Sequence, residues 1–345
     1  MAQTVPSGDN TLLRDAIPVR KIGRLERFLG PENYRIFQGM MKTPASIAGM
    51  ALVAMFVLIA VFAQQIIPSV GRDPYAIPRD GFKSDPQPMG TEWKKNVPDM
   101  PFWYKAVTGK EEWVHLLGTS EGQYDIFYGI IWGTRTAFYA SLVVTLSTLL
   151  LGVIYGSIAA YYGGVVDMVF MRIVDVLSIL PGTLAALILA AILTPLIGKS
   201  TIPVMVALIA FGWMGYSRFI RADILSVRER DYVLAARVVG VKDSRILFTH
   251  ILPNAIFPTL ILASMAIGDV VLSFAALSFL GIGVEIGYAD WGQLLSFARN
   301  WITSLNTYWY IIAWPGLTLL LFVMGWNLIG DALRDVLDPR MRGKM

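Results

Sequence analysis

The sequence predicts an all-α, polytopic membrane protein with six transmembrane helices. Three observations carry that expectation. Of 345 residues, 55% are hydrophobic and only 16% charged, where a soluble domain carries about a quarter charged. Uncharged runs recur at 43–71, 136–166, 176–198, 200–217, 251–268 and 300–330, and a helix needs roughly 20 apolar residues to cross about 30 Å of hydrocarbon. The fifth run is short only because Asp269 interrupts it; apolar sequence resumes from Val270 to Val284. Lysine and arginine gather in three blocks, seven in 1–42, seven in 218–254 and four after Gly330. Six crossings place all three blocks on one side. The positive-inside rule makes that side the cytoplasm, with both termini inside the cytoplasmic membrane.

Taken in order, residues 1–43 read as a cytoplasmic arm with an amphipathic helix around Arg20–Phe37. The first span covers roughly 44–67. It is too long for a signal-peptide core and follows some 40 polar residues, so it reads as a retained anchor. Residues 68–129 form an extracytoplasmic loop whose prolines exclude long helices and central strands. That loop carries seven basic and nine acidic residues, but segments of this length translocate largely regardless of charge. Its aromatics between Trp93 and Tyr128 fit two readings: an ordered loop that buries them, or an aromatic belt on the bilayer surface.

Residues 130–330 form a core of five further spans, near 134–160, 170–195, 201–220, 253–282 and 305–328, and 331–345 form a cytoplasmic tail. Gly152, Gly156, Ala159 and Ala160 punctuate the second span, which suits close helix packing in lipid. Asp175 and Arg172 read as a packing pair near the cytoplasmic end of the third span. Arg218 and Arg221 read as snorkelling anchors at the end of the fourth.

The polar stretch RERDYVLAARVVGVKDSRILFTHILPN, 228–254, lies between two of these apolar runs. Ser226 and Glu229 have capping-box spacing, which predicts a helix start near 227. Tyr232, Ala235, Ala236 and Val239 then share one face, and Arg230 and Arg237 the other. Gly240 stands where a left-handed C-cap is wanted. Asp243 is placed to cap a second helix over 244–252, and Pro253 marks entry to the fifth span. Small side chains on an apolar face let another surface approach the backbone, so the stretch reads as a helical hook that fills a groove on a cytosolic partner. The other reading is a basic helix pair resting on anionic headgroups.

Composition and spacing exclude several chemistries. The chain has no cysteine, so disulfides and thiolate metal sites do not arise. Its two histidines, His115 and His250, fall on opposite sides of the predicted membrane. The "IGKST" at 197–201 lacks the glycine that a phosphate-binding loop needs at 193, which is leucine. No serine, histidine and acid meet on one face, so the chain is expected not to be an enzyme. The basic residues sit on the inferred cytoplasmic flanks of spans, so topology rather than nucleic acid accounts for them. Asp269, deep in the fifth span, either faces a central pathway or pairs with a neighbouring helix.

The pattern Ala235-Ala236, Gly240, Leu252-Pro253 resembles the signature loop of permease subunits in ATP-binding cassette importers, with Leu234 where a glutamate is usual. "YYGGVVDMVFMRIVD", "ERDYVLAARVVGV", "HILPNA", "LSFLGIG", "DWGQLL" and "WNLIGDALRDVLDPR" extend the resemblance over about 115 to 341. They match the second permease of oligopeptide and dipeptide importers. The resemblance implies a type I importer permease fold with a coupling loop over 221–254. Its ATPase contact would use Tyr232, Ala235, Ala236, Arg237, Gly240, Val241 and Arg245, and Asp269 would lie on the translocation pathway. It also implies a homologous second permease, two cytosolic ATPase subunits that hold ATP and Mg, and an extracytoplasmic substrate-binding protein, all around a bilayer. No cofactor is expected in this chain. Relatives of peptide importers carry nickel chelates or oligosaccharides, and these remain alternative cargoes; a self-contained secondary transporter would want inverted repeats, which the sequence lacks.

Overall fold

The computed structural model describes residues 43–337, together with 27, 30, 34 and 38–41. The helix expected around Arg20–Phe37 lies largely outside the described residues, as does the tail from 338. Among the described residues five helices are long and apolar enough to cross a membrane, and a sixth candidate is a pair of helices bent by 74°. The chain is a multi-pass membrane protein of helices.

The first span is α1, Pro44–Val61, continued after a kink at Phe62 by a short turn over Ala63–Ile66. A helix end leaves its last carbonyls without partners, and lipid offers none. Three side chains supply them. Arg135 donates from Nε to Ala60 O at 2.5 Å and from a terminal nitrogen to Val61 O at 3.1 Å. Trp103 Nε1 donates to Ile66 O and Trp132 Nε1 to Ile67 O. Trp103 belongs to α2, Phe102–Thr108, so the segment after α1 folds back to close the helix it follows.

The second span, α3, runs Ile126–Tyr162. Its 37 residues extend about 55 Å at 1.5 Å per residue, well beyond a hydrocarbon core of about 30 Å. The expected limits of 134–160 are therefore too short; at the first end residues 126–133 run on into the aromatic-rich cluster around Trp132 and Trp291, and at the other the helix reaches Tyr162. Its partner along this length is α6, Thr201–Arg228, likewise longer than the 201–220 expected. The contact is made by the small residues. A Cβ built on Gly156 would sit 2.3 Å from Ser217 O, and one on Gly152 2.7 Å from Trp213 O, so only glycine lets the two backbones approach.

Between them, the expected straight span over 170–195 is two helices. Those helices, α4 (Gly164–Leu177) and α5 (Gly182–Ile197), meet at 74°. The break falls at Ser178-Ile179-Leu180-Pro181. Pro181 cannot donate to a preceding turn and pushes Leu180 out of helical geometry. Two ion pairs fix α4 on α6. Arg221 pairs bidentately with Asp167, both contacts at 2.5 Å, and Arg218 reaches Asp175 Oδ1 and Ser178 Oγ at 3.1 Å. Asp175 thus pairs with Arg218 rather than Arg172, and the two arginines expected to snorkel are clamps between helices.

After a short connecting helix described below, the chain enters α8, Leu252–Phe279. It then forms α9, Trp291–Phe297, which buries Trp291 against Phe56 and Phe322. The last span, α10, runs Tyr310–Leu337, seven residues into the region expected to be tail. The described core falls into three clusters. One is aromatic-rich around Trp132, Trp291 and Phe322, one surrounds Val144, Ala190 and Val204, and one gathers Ile220, Ile224, Val233 and Ile251 at the arginine-rich end.

Apart from α2 and a short 3-10 turn over Glu121–Gln123, segment 68–125 is irregular, its β pairing among the described residues limited to isolated bridges. It nonetheless buries Trp93, Tyr104, Trp113 and Tyr124. At its centre His115 is fully buried, its Nδ1 2.6 Å from Asp125 Oδ2 and its Nε2 3.5 Å from Asp80 Oδ2. The alternative of an aromatic belt lying flat does not describe this arrangement; of these aromatics Phe102, at 86% exposure, is the one that faces outward.

Candidate functional site

The arginine-rich end carries the hook that the sequence singled out. Helix α6 does not stop at Ser226. Its apolar stripe Ile220, Ile224, Val227 continues into the buried cluster at this end, and that burial outweighs a capping box. The hook helix α7 begins later, at Asp231, and ends at Val238. Arg230 occupies its N-cap, without a side-chain cap bond.

Gly240 closes α7 with φ +80°, a conformation in which only glycine is unstrained. Its amide donates to Arg237 O at 3.0 Å and the Val241 amide to Ala236 O at 3.1 Å. This pair of bonds is the Schellman arrangement expected of a glycine stop. The second helix departs from expectation. A single turn, Asp243–Arg245, leads into a π-helical stretch, Ile246–Ile251. Lys242 rather than Asp243 is its N-cap residue, and Asp243 instead accepts the Tyr161 hydroxyl at 2.5 Å.

Val233 is completely buried against Ile246, Leu247 and Ile251, and Ala236 and Val241 are half-buried against the same cluster. Tyr232, Leu234, Ala235, Arg237, Gly240 and Arg245 are exposed. Val238 and Val239 are 88% and 81% exposed, which places bare valines beside three solvent-facing arginines. Exposed apolar side chains beside charge make this face a candidate interaction surface. The predicted face is therefore rotated: Ala236 leans inward, and Val238 joins Tyr232, Ala235 and Val239 on the outside.

The hook is tied firmly to the end of α3. Arg228 donates to Ala160 O at 2.8 Å and to Tyr161 O at 3.4 Å. The Arg237 guanidinium lies 5.7 Å from the centre of the Tyr161 ring, and the Tyr161–Asp243 bond completes the attachment. Sequence reasoning missed Tyr161, Arg228 and the role of Asp243. No local pattern could have supplied them, because residues 161 and 243 meet only after α3, the bent pair and α6 are in place.

Asp269 lies elsewhere. It is 17 residues beyond Leu252, about 26 Å up α8, so α8 connects the hook to it without bringing them together. Its carboxylate is exposed and makes no ion pair with any described residue. No described group of three or more histidine, cysteine or acidic side chains is arranged to hold a metal ion.

Comparison with known proteins gives this architecture its place. The chain is 32% identical over 306 residues to the dipeptide transport system permease protein DppC of Alkalihalophilus pseudofirmus, covering 89% of each. It is 33% identical over 228 residues to the oligopeptide transport system permease protein OppC of Bacillus subtilis, covering 66% of this chain and 69% of that one. It is 36% identical over 228 residues to the glutathione transport system permease protein GsiD of Pectobacterium atrosepticum, covering 66% and 73%. A family model matches residues 149–343, from within α3 through the hook and past the end of α10. This chain belongs to that family, the binding-protein-dependent transport system inner membrane component.

Proposed function

We propose that the chain is one of two permeases in an importer of peptides, driven by ATP hydrolysis in partner subunits. Three relatives named for dipeptide, oligopeptide and glutathione transport support the cargo class. The arginine-rich end faces the cytoplasm with both termini, and segment 68–125 faces outward toward a substrate-binding protein. A homologous second permease completes the pathway. Two cytosolic ATPases hold ATP and Mg, and this chain contributes no catalytic group. The single observation that carries the assignment is α7, a short helix with bare Tyr232, Ala235, Val238 and Val239 that is stiffly held at its base.

In this reading Tyr232 and Ala235 enter a groove on an ATPase, and Arg237 and Arg245 supply polar contacts at its rim. Ala236, Gly240 and Val241 fix the corner from below. Closure of the ATPases moves α7, and Arg228, Arg237 and the Tyr161–Asp243 bond pass that movement to α3. Replacing Tyr161 with phenylalanine, or Asp243 with asparagine, removes or weakens that bond without emptying space. A hydrogen bond to a charged group contributes about 1.5–3 kcal/mol, so uptake per ATP hydrolysed should fall by roughly tenfold with the subunits still assembled. Unchanged coupling in both variants would show that the bond carries no force.

The cargo is tested by reconstituting the assembled transporter with its binding protein in liposomes and following labelled L-alanyl-L-alanine. ATP-dependent accumulation is expected. Accumulation of a nickel chelate or an oligosaccharide instead would replace the peptide reading. Uptake by this chain without any ATPase, driven by an ion gradient, would remove the importer assignment.

A further inference from the structure

A cavity of about 230 Å³ opens at membrane depth between α3, α5, α6 and α8. Its polar lining comes from Asp269 and Ser273 on α8, Tyr216 on α6, Thr148 on α3 and Thr183 at the start of α5. Asp269 lies about 26 Å along a helix of about 42 Å, well inside the span. A carboxylate there cannot face hydrocarbon without a cost of several kcal/mol. Yet it is exposed on the surface of this chain and has no ion-pair partner among the described residues. That stretch of surface therefore meets water or another polypeptide rather than lipid.

A second observation points to a ligand. Tyr216 is 8% exposed, lines the same cavity, and its hydroxyl has no hydrogen-bond partner among the described residues. A buried hydroxyl left unpaired costs about 1–3 kcal/mol, which a ligand able to pair with it would relieve. Thr148, by contrast, is already satisfied by Val144 O and Thr145 O on its own helix. Asp269 and Ser273 stand one turn apart on α8 and present one face. The cavity thus holds one exposed anion, one unpaired hydroxyl and a further hydroxyl at Ser273.

We propose that this cavity is a subsite for the positively charged amino terminus of the transported peptide, with Asp269 as counter-ion and the Tyr216 hydroxyl as its second hydrogen-bond partner. The proposal rests on the peptide reading above and deepens it. At about 230 Å³ the cavity is local to these side chains, so it receives the ammonium end of a peptide rather than an extended chain. The remainder of the peptide lies along the open side of α8, beyond these contacts. Such a site reads the one group that peptides with free amino termini share and leaves side chains and length unread.

The test uses the whole transporter with its binding protein in liposomes, and compares L-alanyl-L-alanine with N-acetyl-L-alanyl-L-alanine. The wild type should favour the free amine at least tenfold. In Asp269→Asn that preference should collapse toward unity through loss of free-amine uptake. Asp269→Glu should restore much of it, and Tyr216→Phe, which deletes only the hydroxyl, should lower free-amine uptake severalfold. An unchanged preference in Asp269→Asn, with the wild type transporting both, would overturn the subsite and leave the peptide reading standing. Loss of the second permease on co-purification of Asp269→Asn would also overturn it, by making the carboxylate an interface contact. Uptake of neither peptide by the wild type would overturn the peptide reading and the subsite with it.

Discussion

Substituting glutamate for Ala235 or Val238 should disconnect this chain from its ATPases while leaving it folded in the membrane. Both side chains point outward from α7; Val238 is 88% exposed and Ala235 is exposed beside it. Neither contributes to the buried cluster beneath the helix, so a carboxylate at either position meets water in the free subunit and costs the fold little. Inside a groove the same carboxylate is desolvated without a partner. An uncompensated buried charge costs about 3–5 kcal/mol, which corresponds to roughly 10²–10⁴ in affinity. Co-purification with the ATPases should be lost and ATP-driven uptake with it, while expression and thermal stability of the permease stay near wild type. Normal assembly and uptake in both variants would refute the docking role of α7. Ala236 is a less informative position, since it leans against Val233 and its neighbours, and glutamate there would disturb the fold as well as the contact. Truncating fully buried Val233 to alanine supplies the opposite control: stability should fall by about 1–3 kcal/mol, with the outer face of α7 intact.

The sequence made some parts of this molecule visible because their causes are local. Long uncharged runs specify spans, since nothing else in the chain satisfies the bilayer. A glycine after a short helix specifies a left-handed stop, and Gly240 adopts it with both expected bonds. The hook was legible as a hook for the same reason. What failed were readings in which a local signal competed with a distant one. Ser226 and Glu229 carry the spacing of a helix start, but Ile224 and Val227 are already committed to a buried cluster that exists only when α8 is present. Helix α6 therefore runs through. Arg218 and Arg221 at a span end fit the pattern of snorkelling; their carboxylate partners sit more than 40 residues away on α4. The break between α4 and α5 was written in Leu180-Pro181-Gly182, but a hydropathy reading smooths over it because both halves are apolar.

In segment 68–125 and the start of α3 a single carboxylate performs two jobs. Asp125 Oδ1 accepts the Tyr128 amide at 2.6 Å and so caps the start of α3, while Oδ2 holds His115 Nδ1 at 2.6 Å. His115 is fully buried, with the Trp93 ring 4.0 Å away and Asp80 Oδ2 at 3.5 Å from its other nitrogen. Asp80 in turn accepts the amides of Lys94 and Lys95 at 2.5 and 2.6 Å. The chain at 80, 93–95, 115 and 125 is thereby gathered onto one imidazole, directly above the helix that bears the hook at its far end. Asp125→Ala removes a helix cap, at about 1 kcal/mol, and strips a buried polar group of its partner, at about 1–3 kcal/mol. The two losses share one neighbourhood and need not add, but stability of the purified subunit should drop by a few kcal/mol. Limited proteolysis should then cut between 68 and 125 where the wild type resists. Asp125→Asn keeps a good cap and an acceptor for His115 and loses only the charge, so its melting temperature should fall between the other two. If asparagine melts with the wild type and alanine falls by only about 1 kcal/mol, the cap alone matters and the charge facing His115 contributes nothing. If the alanine variant melts with the wild type, the buried cluster does not hold segment 68–125 together at all.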